Sequence, residues 1–308
     1  MWSRILSTWS IWFSKDEIEC PRCLNYENLL KISEEERTRE QKNDIKTVET
    51  HKKKAKDQCL SYLKQKRELV NAQEKTVLIV QDFTQLQCQK DSYQDLIFTI
   101  YYIGENSELN HSFYHFVAKS KNNNLFVIQT YKQVINLQEL QNVKKLIIWS
   151  DGCRRHFKNS SMMIFWCVFR RITKIQVQLE FFESYHGNNA CDAASAHIKK
   201  KLNVYQRDTR SILRNAIEVS DICSTVKNHK GFQGPTDVSG KIEAKTFTGI
   251  SHFYKFIPDD NNKICAYSSS EDDEKIGKTY SPKPNEILMI LKLVGEKWSL
   301  NTIEGESK

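Results

Sequence analysis

The first part of the chain is dominated by charged residues and contains no Gly or Pro between residues 27 and 75. Apolar residues recur only intermittently in its second half, at Leu60, Leu63, Leu69 and Val70. A charged sequence with a narrow apolar stripe is typical of helices whose wider face is solvated. The pattern predicts one or two such helices. The alternative interpretation is that its lysine run, Lys52, Lys53, Lys54 and Lys56, contacts nucleic acid.

The middle of the chain changes to apolar and aromatic runs that alternate with segments of helical spacing. The runs typical of strands are residues 77–82, 96–103, 112–118, 145–150 and 174–182. The segments with helical spacing are residues 125–143, 157–171 and 190–202. Three adjacent strands followed by alternating helices and strands indicate an α/β fold, with a mixed sheet flanked by helices.

Glycine and proline return from about residue 231, and short strand-like runs follow at 246–248, 252–257, 263–267 and 288–291. The change predicts a small β-rich C-terminal region at 231–308. Residues 1–75 form the predicted helical N-terminal region, and 76–230 the α/β domain between them.

Composition and charge narrow the class of protein. The chain has 308 residues, with 46 Lys and Arg against 38 Asp and Glu, which gives a net charge of +8. This excess permits a polyanionic partner without requiring one. Only five prolines and ten glycines are present, which excludes collagen-like and Pro-rich disordered classes. Nine cysteines form an odd and dilute set, more typical of a reducing compartment than of a disulfide scaffold.

No apolar run reaches the length of about 18 to 20 residues that a transmembrane helix needs, so no membrane partner is expected. The start of the chain, Met1 to Phe13, is rich in Trp and Ile but is interrupted by serines. It lacks an uninterrupted apolar region and a small-residue cleavage site, so we interpret it as a buried or truncated edge. A short interfacial helix is the alternative.

Three aspartates occupy positions where ligands collect in α/β proteins. Asp82 and Asp151 directly follow apolar strands, and Asp192 lies at the start of the last helix of the set. If the first and fourth strands are neighbours, Asp82 and Asp151 lie side by side and can bind divalent metal with Asp192. Mg²⁺ suits a few carboxylates with retained waters. The alternative is that these aspartates are turn or cap residues, since Ser-Asp-Gly is ordinary turn chemistry.

The segments around these aspartates carry a family likeness. They are Gln81-Asp-Phe-Thr-Gln85, Trp149-Ser-Asp-Gly-Cys-Arg-Arg-His-Phe-Lys-Asn159 and Phe181-Phe-Glu-Ser-Tyr-His-Gly-Asn-Asn-Ala-Cys-Asp192. They resemble the catalytic core of a group of eukaryotic DNA-transposon proteins, in which an Asp-Phe strand end, Ser-Asp-Gly-x-x-x-x-(Tyr/Phe)-Lys-Asn and His-Gly-Lys-x-x-Cys-Asp-Gly follow in this order. The resemblance implies the transposase and integrase branch of the ribonuclease-H-like fold over roughly residues 76 to 205. The middle element is the most specific of the three.

The resemblance implies that Asp82, Asp151 and Asp192 are catalytic and hold two Mg²⁺ or Mn²⁺ ions. Glu180 and Glu183 are the alternatives for the third acid, although they fall on or just after a strand rather than on the following helix. The sequence also departs from the pattern around the third acid. Asn188 replaces the usual lysine, Ala193 replaces a glycine, and residues 194–197 replace a glycine-rich stretch.

Cysteine and histidine positions suggest zinc as a second metal. His186 and Cys191 form one candidate pair beside the catalytic segments, and Cys20-x-x-Cys23 is half of a common zinc pattern. The next candidates downstream of Cys23 are His51 and Cys59, whose separation lies outside the usual compact spacing. Structural cysteines without metal are the alternative for Cys20 and Cys23.

Basic residues near the third segment are candidate nucleic-acid contacts. Lys199, Lys200 and Lys201 continue the helix that begins at Asp192, and Lys158 and His186 lie within the motif segments. Cations at such positions bind a phosphate backbone without reading sequence. A solvated helix face is the alternative for the lysine run.

Together these features predict a transposase- or integrase-like DNA-binding protein of the nucleus, with DNA and a second copy of itself as partners. Cleavage and strand transfer at Asp82, Asp151 and Asp192 is one hypothesis. A catalytically degenerate, transposon-derived DNA-binding or assembly module is the second. A ribonuclease or exonuclease on the same fold is the third.

Overall fold

A computed structural model of the chain describes residues 20–89, 91–183, 189–210, 212–236, 238, 242, 244, 247–269 and 277–295. The predictions for Met1 to Phe13, for His186 and for Asn188 fall outside the described residues.

Two helices precede the sheet, as the charge pattern predicts. Helix α1 comprises Pro21–Leu30 and α2 comprises Arg39–Glu68, after which Leu69–Asn71 form a 3-10 turn. Thr38 caps α2 reciprocally with Gln41: the backbone N–H of Gln41 donates to the Thr38 hydroxyl at 3.2 Å, and the backbone N–H of Thr38 donates to the Gln41 side chain at 2.9 Å. This capping box fixes where the long helix begins.

Nine strands form a single sheet within the described residues. They are β1 (Thr76–Gln87), β2 (Ser92–Ile103), β3 (Leu109–Ala118), β4 (Lys145–Ser150), β5 (Gln176–Phe181), β6 (His229–Gln233), β7 (Lys255–Pro258), β8 (Ile264–Tyr267) and β9 (Lys278–Tyr280). The remaining helices described are α3 (Asn124–Val134), α4 (Ser160–Thr173), α5 (Ala190–Thr209), α6 (Ala216–Ser224) and α7 (Pro284–Val294), with 3-10 turns at Gln138–Leu140 and Ile250–His252.

The strand order across the sheet is β6-β3-β2-β1-β4-β5-β7-β8-β9. Strands β1, β2 and β3 form an antiparallel meander, and β4 and β5 continue on the other side of β1 in parallel. Helices α3 and α4 make the crossovers that parallel strands require. The predicted α/β class, with a mixed sheet flanked by helices, is confirmed.

Each face of the sheet is buried under helices. Along β1 the side chains alternate, as they must in a strand. Val77 and Ile79 pack into the core formed with α3, α4 and α7. Leu78 and Val80 pack on the opposite face, where α2 and the start of α5 cover the sheet. The charged helix α2 is therefore one layer of the domain.

A chain of buried ionisable groups crosses three adjacent strands. Asp95 Oδ2 lies 2.8 Å from His115 Nδ1, and His115 Nε2 lies 2.8 Å from His229 Nδ1. Asp95 and His115 are fully buried, and His229 is nearly so. Burial, together with the neighbouring His115 and His197, lowers the pKa of His229 to about 4. His229 is therefore neutral at pH 7.

The C-terminal strands extend the main sheet. Strand β7 pairs antiparallel with β5, and β8 and β9 follow outward. Residues 288–291, predicted as a strand, instead belong to α7. Pro284 opens this helix, Glu286 caps its first turn, and Ile290 and Val294 are buried one turn apart. Apolar residues at helical spacing after a capping signal outweigh the local strand propensity.

Among the helices that the structure describes, none is long and apolar enough to cross a membrane.

Candidate active site

Asp82 and Asp151 lie side by side at the centre of the sheet. Strands β1 and β4 run parallel, and Gln81 of β1 is paired with Ser150, the last residue of β4. Asp82 directly follows Gln81, and Asp151 directly follows Ser150. Asp82 is still inside β1, where its partner on β2 is Ile97. Strand order and register thus bring together the first two predicted acids.

Asp192 approaches them from the first turn of α5. The Asn189 side chain accepts a hydrogen bond from the backbone N–H of Cys191 at 2.7 Å, and the Asn189 N–H donates to Asp192 Oδ2 at 2.8 Å. The Cys191 thiol is buried against the sheet, 3.3 Å from Thr99 Oγ1 and 3.4 Å from the carbonyl oxygen of Val80. The cap and the buried thiol fix the end of α5 over the centre of the sheet.

The three carboxylates influence one another electrostatically. Burial raises the pKa of Asp82 well above its ordinary value, and the negative charges of Asp151 and Asp192 raise it further. Burial also raises the pKa of Asp151 to about 6, and the negative charge of Asp192 adds to this increase. The backbone N–H of Cys153 acts in the opposite direction, because its hydrogen bond to the carboxylate lowers the pKa. Negative charge concentrated in a poorly solvated place attracts a proton or a cation.

The carboxylate oxygens of Asp82, Asp151 and Asp192 do not all lie within 4.8 Å of one another. Ligand oxygens on one Mg²⁺ ion lie roughly 3 Å apart, because each bond is about 2.0–2.1 Å long in an octahedral arrangement. One such ion therefore cannot bind all three carboxylates as they lie, whereas two ions about 3.5–4 Å apart can share ligands that are farther apart.

A cavity of about 200 Å³ opens beside two of the acids. Asp82 and Asp192 line it together with Thr84, Ser195 and Lys199. The Ser195 hydroxyl donates to Thr84 Oγ1 at 2.8 Å, which joins α5 to β1 across the cavity wall. The cavity lining therefore combines carboxylates, hydroxyls and one lysine with the side chains of Phe83, Ile97, Cys191 and Ala196, and Asp151 is not part of it.

The other motif residues form the support of the site. Phe83, directly after Asp82, stacks on Phe157 with ring centroids 5.8 Å apart and contacts His156 at 4.6 Å. Asn159 caps α4 by accepting from the backbone N–H of Met162 at 3.0 Å. Sequence reasoning did not assign these roles, although the aromatic at the position of Phe157 and the Asn before a helix are recognisable signals.

Glu180 and Glu183, the alternatives to Asp192 as third acid, are engaged elsewhere. Glu180 is fully buried, and its Oε1 accepts hydrogen bonds from the side chains of Gln65 and Gln178 at 3.1 Å and 2.7 Å. Of the three candidates Glu180, Glu183 and Asp192, it is Asp192 whose charge raises the pKa of both Asp82 and Asp151.

Glu183 is held by Tyr254 and His51. Its carboxylate accepts a hydrogen bond from the Tyr254 hydroxyl at 2.6 Å and lies 3.2 Å from His51 Nδ1. Burial would raise the pKa of Glu183, but His51 and Tyr254 outweigh burial and lower that pKa to about 2. Glu183 is therefore an ionised partner of His51.

The predicted nucleic-acid contacts differ in exposure. Lys199, Lys200 and Lys201 are exposed along α5. Lys158 is buried instead, with its Nζ 4.4 Å from the centre of the Tyr254 ring, and burial lowers its pKa to about 8. In this structure Lys158 is part of the core beside the site, and the lysines of α5 are open to solvent.

Of the predicted zinc ligands, Cys20, Cys23 and Cys191 lie in the part of the chain that the structure describes, and they differ in their surroundings. Burial raises the pKa of the Cys191 thiol well above its ordinary value, which does not favour the thiolate that zinc binds. Cys20 and Cys23, in contrast, come together with His51, and one ligand atom of each lies within 4.8 Å of the others. The sequence offered His51 as a candidate, but its spacing did not support it, because the turn between α1 and α2 rather than local spacing brings it to the cysteines.

Comparison with known protein families assigns the chain to one family. Residues 59–233, more than half of the chain, match the family described as a domain of unknown function, DUF8701. The chain therefore belongs to the DUF8701 family. The match runs from the middle of α2 to the end of β6 and includes all three aspartates. No curated protein matches the chain.

Proposed function

We propose that the protein is a transposase- or integrase-like DNA-binding protein that cleaves and joins phosphodiester bonds with divalent metal. One observation carries this proposal: Asp82 and Asp151 at adjacent parallel strands, with Asp192 close enough to raise the pKa of both. Each carboxylate also has a local role, since Asp192 closes the capping box of α5 and Asp151 accepts the backbone N–H of Cys153. What those local roles do not require is the convergence of three carboxylates from β1, the end of β4 and α5, and the proposal rests on that convergence.

The donor set fits Mg²⁺ or Mn²⁺. Both ions prefer hard oxygen ligands, and the raised pKa values of Asp82 and Asp151 mean that a cation relieves repulsion between them. Asp82 and Asp151 would hold one ion, and Asp192 would position the second. When bound, two such ions about 3.5–4 Å apart activate an attacking water or 3′-hydroxyl and stabilise the leaving oxygen.

The chain's own residues supply position and charge. The capping box around Asn189 holds one oxygen of Asp192, so this carboxylate is presented at a fixed point of α5. Lys199 lines the same cavity as Asp82 and Asp192 and is placed to contact a non-bridging phosphate oxygen. Lys200 and Lys201 continue outward and are suited to the neighbouring phosphates of the strand.

The test is a nicking and strand-transfer assay with Mg²⁺ or Mn²⁺ on supercoiled plasmid and on oligonucleotide duplexes. We expect Asp82→Asn and Asp151→Asn to reduce the rate on the order of 10²-fold or more, since each removes a group needed in the transition state. Asp221→Asn is the matched control, because Asp221 is exposed on α6. Equal activity of wild type and Asp151→Asn would overturn the catalytic proposal.

The second candidate is a catalytically degenerate DNA-binding or assembly module. The separation of the three carboxylates and the replacement of the motif glycine by Ala193 favour it. Salt-sensitive DNA binding without metal-dependent cleavage supports this candidate. Cleavage of RNA–DNA hybrids alone instead supports a ribonuclease. An action on DNA also implies the nucleus as the working compartment, which imaging of the tagged full chain tests.

A further inference from the structure

We propose that Cys20, Cys23 and His51 bind a zinc ion that fastens α1 to α2 and, through Glu183, attaches both helices to the end of β5. This site lies outside the segment that matches DUF8701 and is separate from the aspartate cluster. It does not depend on the catalytic proposal.

The geometry of the three side chains suits a metal. Among the residues that the structure describes, this is the one group of three or more His, Cys, Asp or Glu ligand atoms that all lie within 4.8 Å of one another. Cys20 Sγ lies 3.3 Å from His51 Nε2. All three residues are buried, with exposed fractions of 0%, 1% and 4%. Ligands of zinc on a tetrahedron lie roughly 3.3–3.8 Å apart, given bonds of about 2.0–2.3 Å.

The two nitrogens of His51 have different neighbours. Nε2 faces the cysteines, whereas Nδ1 lies 3.2 Å from the carboxylate of Glu183. Histidines that bind metal through one nitrogen usually donate the N–H of the other to a carboxylate or carbonyl, which fixes the ring and its tautomer. Glu183 is itself held by the Tyr254 hydroxyl at 2.6 Å. Glu183 therefore lies where the supporting carboxylate of a metal-bound histidine lies, within ion-pair distance of Nδ1 but outside hydrogen-bond geometry.

Zinc explains these cysteines better than redox chemistry does. A Cys-x-x-Cys at a helix start also occurs in thiol oxidoreductases, but their attacking thiol must reach a partner's sulfur. Cys20 and Cys23 are inaccessible, and a histidine joins them. Two thiolates and an imidazole favour zinc over Mg²⁺ or Ca²⁺, which take oxygen ligands. The fourth position of the tetrahedron is left for water or a further side chain.

Helix α1 needs such a connection. Its apolar contact with α2 is a small cluster of Cys20, Cys23 and Val48, with Tyr26 packed against it. Leu24 and Leu30 of α1 are 51% and 46% exposed. So small a core contributes little, and a structural zinc supplies binding free energy that becomes folding free energy.

The connection reaches the centre of the sheet. Glu183 follows β5 by two residues, and the backbone N–H of Phe182 donates to the carbonyl oxygen of Ser150 at 3.0 Å. Ser150 directly precedes Asp151. Helix α2 also contacts this part of the sheet through Tyr62, whose ring lies 5.6 Å from those of Trp149 and Phe182. The proposed zinc thus holds the N-terminal helices in register with the strand end that carries Asp151.

The experiment is reconstitution of the full chain with zinc after removal of metal, followed by measurement of bound zinc and by replacement with Co²⁺. We expect about one zinc per chain and, with Co²⁺, tetrahedral absorption bands with thiolate-to-cobalt charge transfer. Cys20→Ser and Cys23→Ser should lose both signals. Cys59→Ser is the matched control, because Cys59 lies on α2 outside the cluster, and it should retain them.

Two outcomes overturn the proposal. One is a wild-type chain that binds no zinc beyond the level of the Cys23→Ser variant. The other is a Cys20→Ser/Cys23→Ser double variant that keeps the thiolate band, because the metal would then be bound by cysteines elsewhere. Glu183→Gln tests the supporting carboxylate without removing a ligand. We expect it to keep the cobalt bands and to weaken zinc binding about 10- to 100-fold, and unchanged affinity would contradict the role of Glu183.

Discussion

At the scale of single residues, Asp151 combines a candidate catalytic role with a cost to stability. Its pKa is raised to about 6, mainly by burial. The native chain therefore holds this proton more tightly than the unfolded chain, in which the ordinary value is 3.8. Stability from this group is present below pH 3.8 and is lost as the pH rises through 6.

We therefore expect Asp151→Asn to be more stable than wild type at pH 8 in the absence of divalent metal, by about 1–3 kcal/mol given about 1.4 kcal/mol per pKa unit. The gain should vanish below pH 4, where both side chains are neutral. Urea unfolding at pH 8 and pH 3.5 measures both values, with Asp221→Asn as control. A variant that is equally destabilised at both pH values would contradict this expectation.

His229 gives the opposite pH dependence. Burial and the neighbouring histidines lower its pKa to about 4 from 6.5, so the unfolded chain binds the proton first as the pH falls. Its stabilising contribution is present above pH 6.5 and is lost as the pH falls towards 4.

His229→Asn removes this titration and keeps a polar partner for His115. We expect the difference in unfolding free energy between wild type and variant to shrink by about 1–2 kcal/mol from pH 7 to pH 5. Chemical denaturation of the pair across this range measures it. Because both chains share every other titrating group, a difference that stays constant with pH would show that His229 does not titrate in this window.

At the scale of elements, two helices begin in the same way with different consequences. Asn189 caps α5 and holds the backbone beside Asp192, whereas Asn159 caps α4 at a distance from that acid. Asn189→Ala and Asn159→Ala should each cost about 1 kcal/mol of stability, the usual value of an N-cap.

Only Asn189→Ala should also reduce the stabilisation by Mg²⁺. Loss of the side-chain cap on the Cys191 N–H loosens the start of α5, and with it the backbone N–H of residue 189 that holds Asp192. At a concentration 100 times the dissociation constant, a bound ligand stabilises by about 2.7 kcal/mol. Thermal unfolding with and without Mg²⁺ compares the two variants. The positioning role of Asn189 is refuted by an equal Mg²⁺ response in both.

The elements also show what a sequence can and cannot predict. Alternation and helical spacing placed β1 to β5, whereas the parallel pairing of β1 with β4 was only a condition of the aspartate prediction, which the structure meets. The pairing of β7 with β5 and the meeting of His51 with Cys20 are long-range contacts. No local period encodes them, because they depend on how whole elements pack. The helix at 284–294 was missed because a short apolar run fits either period.

At the scale of the whole molecule, the net charge of +8 becomes useful only through its distribution. Lys199, Lys200 and Lys201 lie beyond Asp192 on α5 and are exposed. The logarithm of the affinity for DNA falls as the logarithm of the salt concentration rises. Replacing all three lysines by alanine should make this fall less steep by about 2 to 3, at roughly 0.9 per phosphate contact.

A charge-matched control is the triple alanine variant at Lys42, Lys46 and Lys53, which are exposed on α2. DNA binding titrated at several salt concentrations distinguishes the two variants. If both slopes fall equally, net charge alone governs binding, and α5 is not the DNA surface.

Strand β7 has one more consequence, which concerns self-association. It pairs with the outer edge of β5, where Leu179 faces Phe256 and Glu180 faces Lys255. A chain that ends at residue 233 lacks β7, so the backbone of β5 becomes an open and largely apolar edge. Open edges of this kind recruit strands from other molecules. We expect this shortened chain to scatter light and to aggregate more than a chain that ends at residue 269, which also lacks α7 but keeps β7 and β8.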